Sequence, residues 1–143
     1  MSKDSLKLLS LKAETSEDLS VVSGSVQDSI LRVKGIIYKG TARSLTLGLQ
    51  RYRREVVKPS RITSALRLDS VLSVKSTGID KSNEDAFLVL LSVIFEETDT
   101  PAGIVTLNFS GGAQLTATVE CLDAMLLDQG LPWFTKSIPN HDD

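Results

Sequence analysis

The chain of 143 residues contains one cysteine, one histidine and one tryptophan, and only 5% of its residues are aromatic. A single thiol excludes an internal disulfide framework and any zinc site built from several cysteines. The lone histidine, His141, lies close to the C-terminus, which removes most histidine-dependent catalysis, because a general base has to be held in place. No Gly-x-Ser-x-Gly elbow occurs. No apolar run approaches the ~20 residues of a membrane helix. The N-terminal apolar stretch is broken by Lys7 and Lys12, whereas a secretory signal needs ~7–15 continuous apolar residues. With a lone thiol, this predicts a cytoplasmic protein with no membrane association.

What remains is an ordinary globular composition, 41% hydrophobic and 24% charged, with a formal net charge of −2. It predicts a single domain over residues 1–136 and a flexible tail over 137–143. The small net charge conceals a segregation. Between Arg32 and Lys75 stand eleven bases and only two acids, Glu55 and Asp69, a local charge of +9; the rest of the chain carries −11. Either basic strands lie beside acidic loops and neutralise each other, or a basic face attracts a polyanion, since steering follows local rather than net charge.

Periodicity predicts mostly strands. Leu6–Lys12 suits a short first strand. Thr15 or Ser16 is a good N-cap, Glu17 and Asp18 suit a first helical turn, and Leu19, Val22 and Val26 recur at helical spacing. Leu45, Leu47 and Leu49 then alternate with polar residues or glycine. The same parity would carry Arg51 and Arg53 onto the leucine face, which predicts a bulge or an exit from the core there. A long strand with one wet face is expected from Ile62 to Lys75, bent near Asp69-Ser70. The continuous apolar run Ala86–Phe95 reads as a strand covered on both faces. Gly111-Gly112 suits a hairpin turn, and Val119, Leu122, Met125 and Leu126 suit a C-terminal helix ended by Gly130. The expected fold is α+β: one twisted antiparallel sheet of six to seven strands with one N-terminal and one C-terminal helix, arranged as a pleckstrin-homology-like barrel or as a flatter sheet with both helices on one face.

Three phrases carry a family resemblance: Val74-Lys75-Ser76-Thr77-Gly78-Ile79-Asp80, Pro101-Ala102-Gly103 and Val119-Glu120-Cys121-Leu122-Asp123-Ala124. In this order and spacing the chain, from about Leu6 to Trp133, resembles the bacterial family catalogued as domain of unknown function 2948. The resemblance implies a short, single-domain, cytoplasmic bacterial protein. That family has no assigned activity, so no catalytic residue is carried over from it.

No metal, cofactor or catalytic residue is assigned. Cys121 lacks an identifiable base and reads as a small helix residue. The acidic loop Asp80–Asp85 fails as an EF-hand, with Asp85 where glycine is needed and Leu91 where glutamate is needed. Glu96, Glu97 and Asp99 read as a second solvated turn. Ser110-Gly111-Gly112 lacks the lysine and the following helix of a phosphate loop. The one cluster with binding chemistry is Arg51, Tyr52, Arg53, Arg54, Lys58, Arg61 and Arg67, where arginine forks match phosphate oxygens and Tyr52 could stack on a base. The leading expectation is a non-enzymatic binding or adaptor domain that meets a protein partner through a sheet edge or the basic strand end, with self-association through an uncovered sheet edge also expected. A nucleic-acid or other polyanion-binding module using the basic strand end is the alternative, and a carboxylate-based enzyme is the third.

Overall fold

In the computed structural model, which describes residues 8–135 and Pro139, the chain forms one helix and a ten-stranded sheet in which every pairing is antiparallel. The elements are β1 (Ser10–Ala13), α1 (Ser16–Val26), β2 (Ser29–Arg32), β3 (Ile36–Lys39), β4 (Ser44–Tyr52), β5 (Ser60–Leu68), β6 (Val71–Thr77), β7 (Phe87–Glu97), β8 (Gly103–Phe109), β9 (Gln114–Val119) and β10 (Ala124–Phe134). The spatial order is β1-β10-β5-β4-β2-β7-β8-β9-β6, with β3 attached to β4. Apart from Pro139, the tail expected over 137–143, including His141, lies outside the described residues, as do Leu6 and Lys7.

The helix forms as its cap and stripe require. The Thr15 side chain accepts the Asp18 N–H at 3.1 Å, Glu17 and Asp18 occupy the first turn, and Leu19, Val22 and Val26 are buried. It packs against β7 and β1, and the Ser23 hydroxyl accepts the Val93 N–H of β7 at 2.9 Å. The hairpin at Ser110–Gly112 also stands, with Gly111 and Gly112 at positive φ (74° and 81°) and Asn108 paired with Gln114 across it.

The expected six to seven strands with a helix at each end are overturned. Among the described residues there are ten strands and no C-terminal helix: residues 124–134 are β10, paired with both β1 and β5. The pleckstrin-homology-like arrangement with its terminal helix goes with it, and the fold is mostly antiparallel β. The reason lies in a period-two series that reads poorly from sequence. Leu122, Ala124, Leu126 and Asp128 are all buried at alternate positions, and the acid at the end hides the alternation. Pairing on both sides then outweighs the helical spacing of Leu122, Met125 and Leu126. Gly130, at φ 72°, serves an irregularity between Gln129 and Trp133 rather than a helix end. Cys121 accordingly sits in the bend after β9, half-buried.

Two further differences shape the molecule. The segment expected as one bent strand breaks at Asp69-Ser70, where Ser70 adopts φ 59°; β5 stays between β10 and β4 while β6 leaves to pair with β9. The shift flips parity, so Val71 is buried and Leu72 is 48% exposed. On β7, Leu90 and Val93 are buried, but Phe87 and Ile94 face solvent, because the sheet has one interior and α1, whose Leu19, Val22 and Val26 join that same core, leaves Phe87 and Ile94 uncovered. With β6 last in the order and β3 in its middle, the contacts between them require the sheet to curl. The Val71 N–H donates to the Arg43 carbonyl at 2.9 Å, and the Tyr38 hydroxyl donates to the Leu72 carbonyl at 3.2 Å. The core fills this curl, with Leu45, Leu47, Leu66, Leu90, Val105, Leu107, Ala117 and Leu126 all at 0% exposure.

Gly103 opens β8, opposite Glu97 on one side and Val119 on the other, and a Cβ there would collide with the Glu96 carbonyl and the Phe95 ring. Gly103→Ala is expected to destabilise by about 1–3 kcal/mol in urea titration. Gly24→Ala, on the exposed face of α1 with open space around it, is expected to stabilise by up to about 1 kcal/mol in the same assay.

Candidate functional site

The seven residues of the basic cluster do not form one face. Arg51 keeps the parity of the β4 leucines and is fully buried, and Arg53 is 1% exposed, so the expected bulge or exit from the core does not occur. The guanidinium of Arg51 is instead met by acids. Nε and Nη2 donate to the two carboxylate oxygens of Asp128 at 2.9 and 2.6 Å, and Nη1 and Nη2 donate to Glu55 at 2.9 and 2.7 Å. Asp128 also accepts the Ser64 hydroxyl at 2.6 Å and the Leu9 N–H at 2.8 Å. Arg53 donates to the Ser60 hydroxyl at 3.4 Å and stands 3.9 Å from Glu55. These two arginines hold the interior together and present no fork to an external phosphate.

Of the remaining five, four gather at one end of the sheet. The Tyr52 ring lies 5.6 Å from the Arg54 guanidinium and 5.7 Å from that of Arg61. Arg54 pairs with Asp28 at 2.6 Å, and Arg61 donates to the carbonyls of Asp28 and Gln50. Burial, together with the nearby Arg54 charge, lowers the Arg61 pKa despite the opposing pull of Asp28. Lys58 lies 4.0 Å above the Phe134 ring, and Trp133 pairs with Arg61 across the strands. Arg67 faces solvent near the other end of β5 and pairs with Asp69. Much of the segregated charge is thus neutralised across the fold: Arg32 and Lys34 by Asp85, Arg43 by Glu120, Arg51 by Asp128 and Arg54 by Asp28. In the acidic loop, Asp80 is occupied by the Ser82 hydroxyl and N–H, and Asp85 by Arg32 and Lys34.

The concave site that the structure does build was not visible in the sequence. A cleft of about 420 Å³ opens between β3 and β6. Ile36 and Tyr38 of β3 line one wall, Val74 and Ser76 of β6 the other, with Leu115 at the base and Ile79, Lys81 and Glu84 at one end. Its size lies within the range of ligand sites, and its lining is mainly apolar with a few polar groups, as such sites are. The loop at that end is fixed by the Lys34 and Val33 N–H groups, which donate to the carbonyls of Glu84 and Ala86 at 2.9 Å each. Three distant segments supply these residues, and each contributes only a few apolar side chains, half-buried on β3 and β6 apart from the exposed Tyr38 and buried at Leu115. No local spacing signals them.

Burial alone would raise the Asp128 and Glu55 carboxyls, but hydrogen bonds from Arg51 outweigh it. Those from Ser64 and Leu9 add to the effect at Asp128, and the net result holds both acids below the ordinary carboxylate range. Arg51 is likewise pushed above its usual value by the two acids, against the effect of burial. A carboxylate depressed in the folded state stabilises the fold above its unfolded pKa of ~4, and that stability is lost as pH falls through the folded value. Urea stability is therefore expected to be flat above about pH 5 and to fall steadily below about pH 4. Asp128→Asn is expected to cost up to about 3–5 kcal/mol at neutral pH by leaving the buried Arg51 with the part-exposed Glu55 as its one acid, and to flatten the acid limb. In Arg51→Met/Asp128→Leu the loss should be well short of the sum of the single changes.

A search of curated proteins and a search of solved structures each returned no match to this chain. The family model described as "Protein of unknown function (DUF2948)" matches residues 9–141, nearly the whole chain, including the three phrases quoted above, and the chain belongs to that family.

Proposed function

We propose that this chain is a binding domain that meets a protein partner through the cleft between β3 and β6, with no catalytic work of its own. The observation that supports the reading most directly is the cleft itself, an apolar slot flanked by two strands that each have one neighbour, β3 by β4 and β6 by β9. Strand edges of this kind accept extended peptides, with main-chain hydrogen bonds giving affinity and side-chain pockets giving selectivity. The polyanion alternative has less support, because Arg51 and Arg53 are internal and Arg54 and Arg67 are matched by Asp28 and Asp69.

The reading is tested by selecting binders from a random-sequence peptide display library and mapping them by backbone amide shifts. The expected shifts cluster at residues 36–39 and 72–79. Ser76→Arg, which fills the cleft mouth from a half-buried position, should abolish binding while leaving the thermal midpoint nearly unchanged. Shifts confined to the Tyr52–Trp133 end would overturn the assignment. So would binding of single-stranded RNA that falls steeply with salt while no peptide binds.

A further inference from the structure

Resting on that reading, we infer that the occupant of the cleft is an extended, acidic and apolar segment that adds as a strand to the free edge of β6. The first support is the state of the two edges. The sheet curls until β3 and β6 face each other, yet they share no strand pairing, so each presents unpaired peptide groups to the gap. Among the described residues, the Val71 N–H at the start of β6 donates to the Arg43 carbonyl of the β3–β4 turn, while the hydrogen bond between the two strands themselves runs from the Tyr38 hydroxyl to the Leu72 carbonyl, at 3.2 Å. There a side chain occupies an acceptor that a neighbouring strand's amide would otherwise take. Tyr38 is 40% exposed, so its ring can move aside without opening the core.

The second support is the division of chemistry between the cleft and its rim. Side chains of an added strand point alternately inward and outward. The inward set would meet Ile36, Val74, Ile79 and Leu115. The outward set would meet lysines. Because Tyr38 and Val74 line the cleft, the neighbouring Lys39 and Lys75 point to the outer faces of the two strands, and Lys81 stands at the cleft end. Lys39, Lys75 and Lys81 form no ion pair among the described residues, whereas most bases elsewhere on β4, β5 and the β3–β4 turn are matched by an acid. Glu84 is the acid on the cleft wall, and Lys34 beside it shares Asp85 with Arg32. Edge lysines also discourage pairing between copies of the same edge, and they leave an acidic strand as the complementary partner. β6 has 7 residues, which at ~3.3 Å each gives a partner segment of similar length a full ladder.

The test uses fluorescein-labelled peptides of the length of β6: an alternating Glu/Val peptide, its Lys/Val counterpart, and two Glu/Val forms N-methylated at odd or at even positions. Anisotropy titrations would be run on the wild-type chain, on Tyr38→Phe and on Lys75→Glu/Lys81→Glu. The acidic peptide is expected to bind about tenfold or more tightly than the basic one, and the charge-reversed variant should invert that order. N-methylation in one of the two registers should abolish binding, because it removes the amides that reach β6. Tyr38→Phe should tighten binding about threefold by freeing the Leu72 carbonyl. Equal affinity for both charges, undiminished binding of both N-methylated forms, or no binding of the acidic peptide would overturn this inference. Display-selected peptides that map to the cleft without acidic or alternating character would overturn it and leave the cleft reading standing. Peptides that map elsewhere would remove both.

Discussion

The bidentate pair between Arg51 and Asp128 joins strands 77 residues apart in sequence, and the arrangement of the sheet around it follows from what each partner needs. Arg51 ends the inward series of β4 and Asp128 ends the inward series of β10, with β5 between the two strands. Neither charge is tolerable in the interior alone, so β10 must lie in the register that brings the carboxylate across β5 to the guanidinium. Ser64, on the intervening strand, and the Leu9 amide complete the shell around Asp128, so the pair also sets the start of β1. A buried ion pair of this kind adds little net stability over an apolar replacement; its effect here is on register, since a one-residue slip of β10 would leave two buried charges unmatched.

The cleft is a consequence of the same geometry at the other side of the molecule. β5 is held between β10 and β4, the chain turns at Ser70, and β6 is carried away to pair with β9. The curled sheet therefore brings β6 beside β3 without joining them. A fully closed barrel would have no free edges, and a flat sheet would have them far apart. The partial curl leaves two edges facing each other over an apolar slot, with the tyrosine bridge at one end and the fixed loop around Glu84 at the other. The charge pattern takes on a different meaning in this frame. Most of the basic excess between residues 32 and 75 is internal to the fold's ion pairs; among the described residues the lysines without an acid are Lys58, which lies over the Phe134 ring, and Lys39, Lys75 and Lys81 around the cleft.

Local signals in the chain were legible where a local interaction decides the outcome. The Thr15 cap with its two following acids, the stripe of Leu19, Val22 and Val26, the alternation of Leu45, Leu47 and Leu49, and the paired glycines of the β8–β9 turn each specify their element within a few residues, and each is present. The family was legible as well, through three short phrases in fixed order. Where a charged residue occupies an inward position, local periodicity points the wrong way. Arg51 was expected to force β4 out of the core, and Asp128 concealed the alternation of β10 so that helical spacing prevailed. Asp128 is explained by Arg51, 77 residues away in sequence, and Arg51 by Asp128 together with Glu55.

Local sequence is enough for the segments that bury one side and for the caps and turns between most of them, because these depend on neighbours three or four residues apart. Tertiary structure alone decided that the last segment is a strand, that two arginines belong inside, and that β3 and β6 face each other across a gap. Those outcomes depend on which strands lie adjacent, and desolvated charges and free edges acquire their energies only once distant partners are in place.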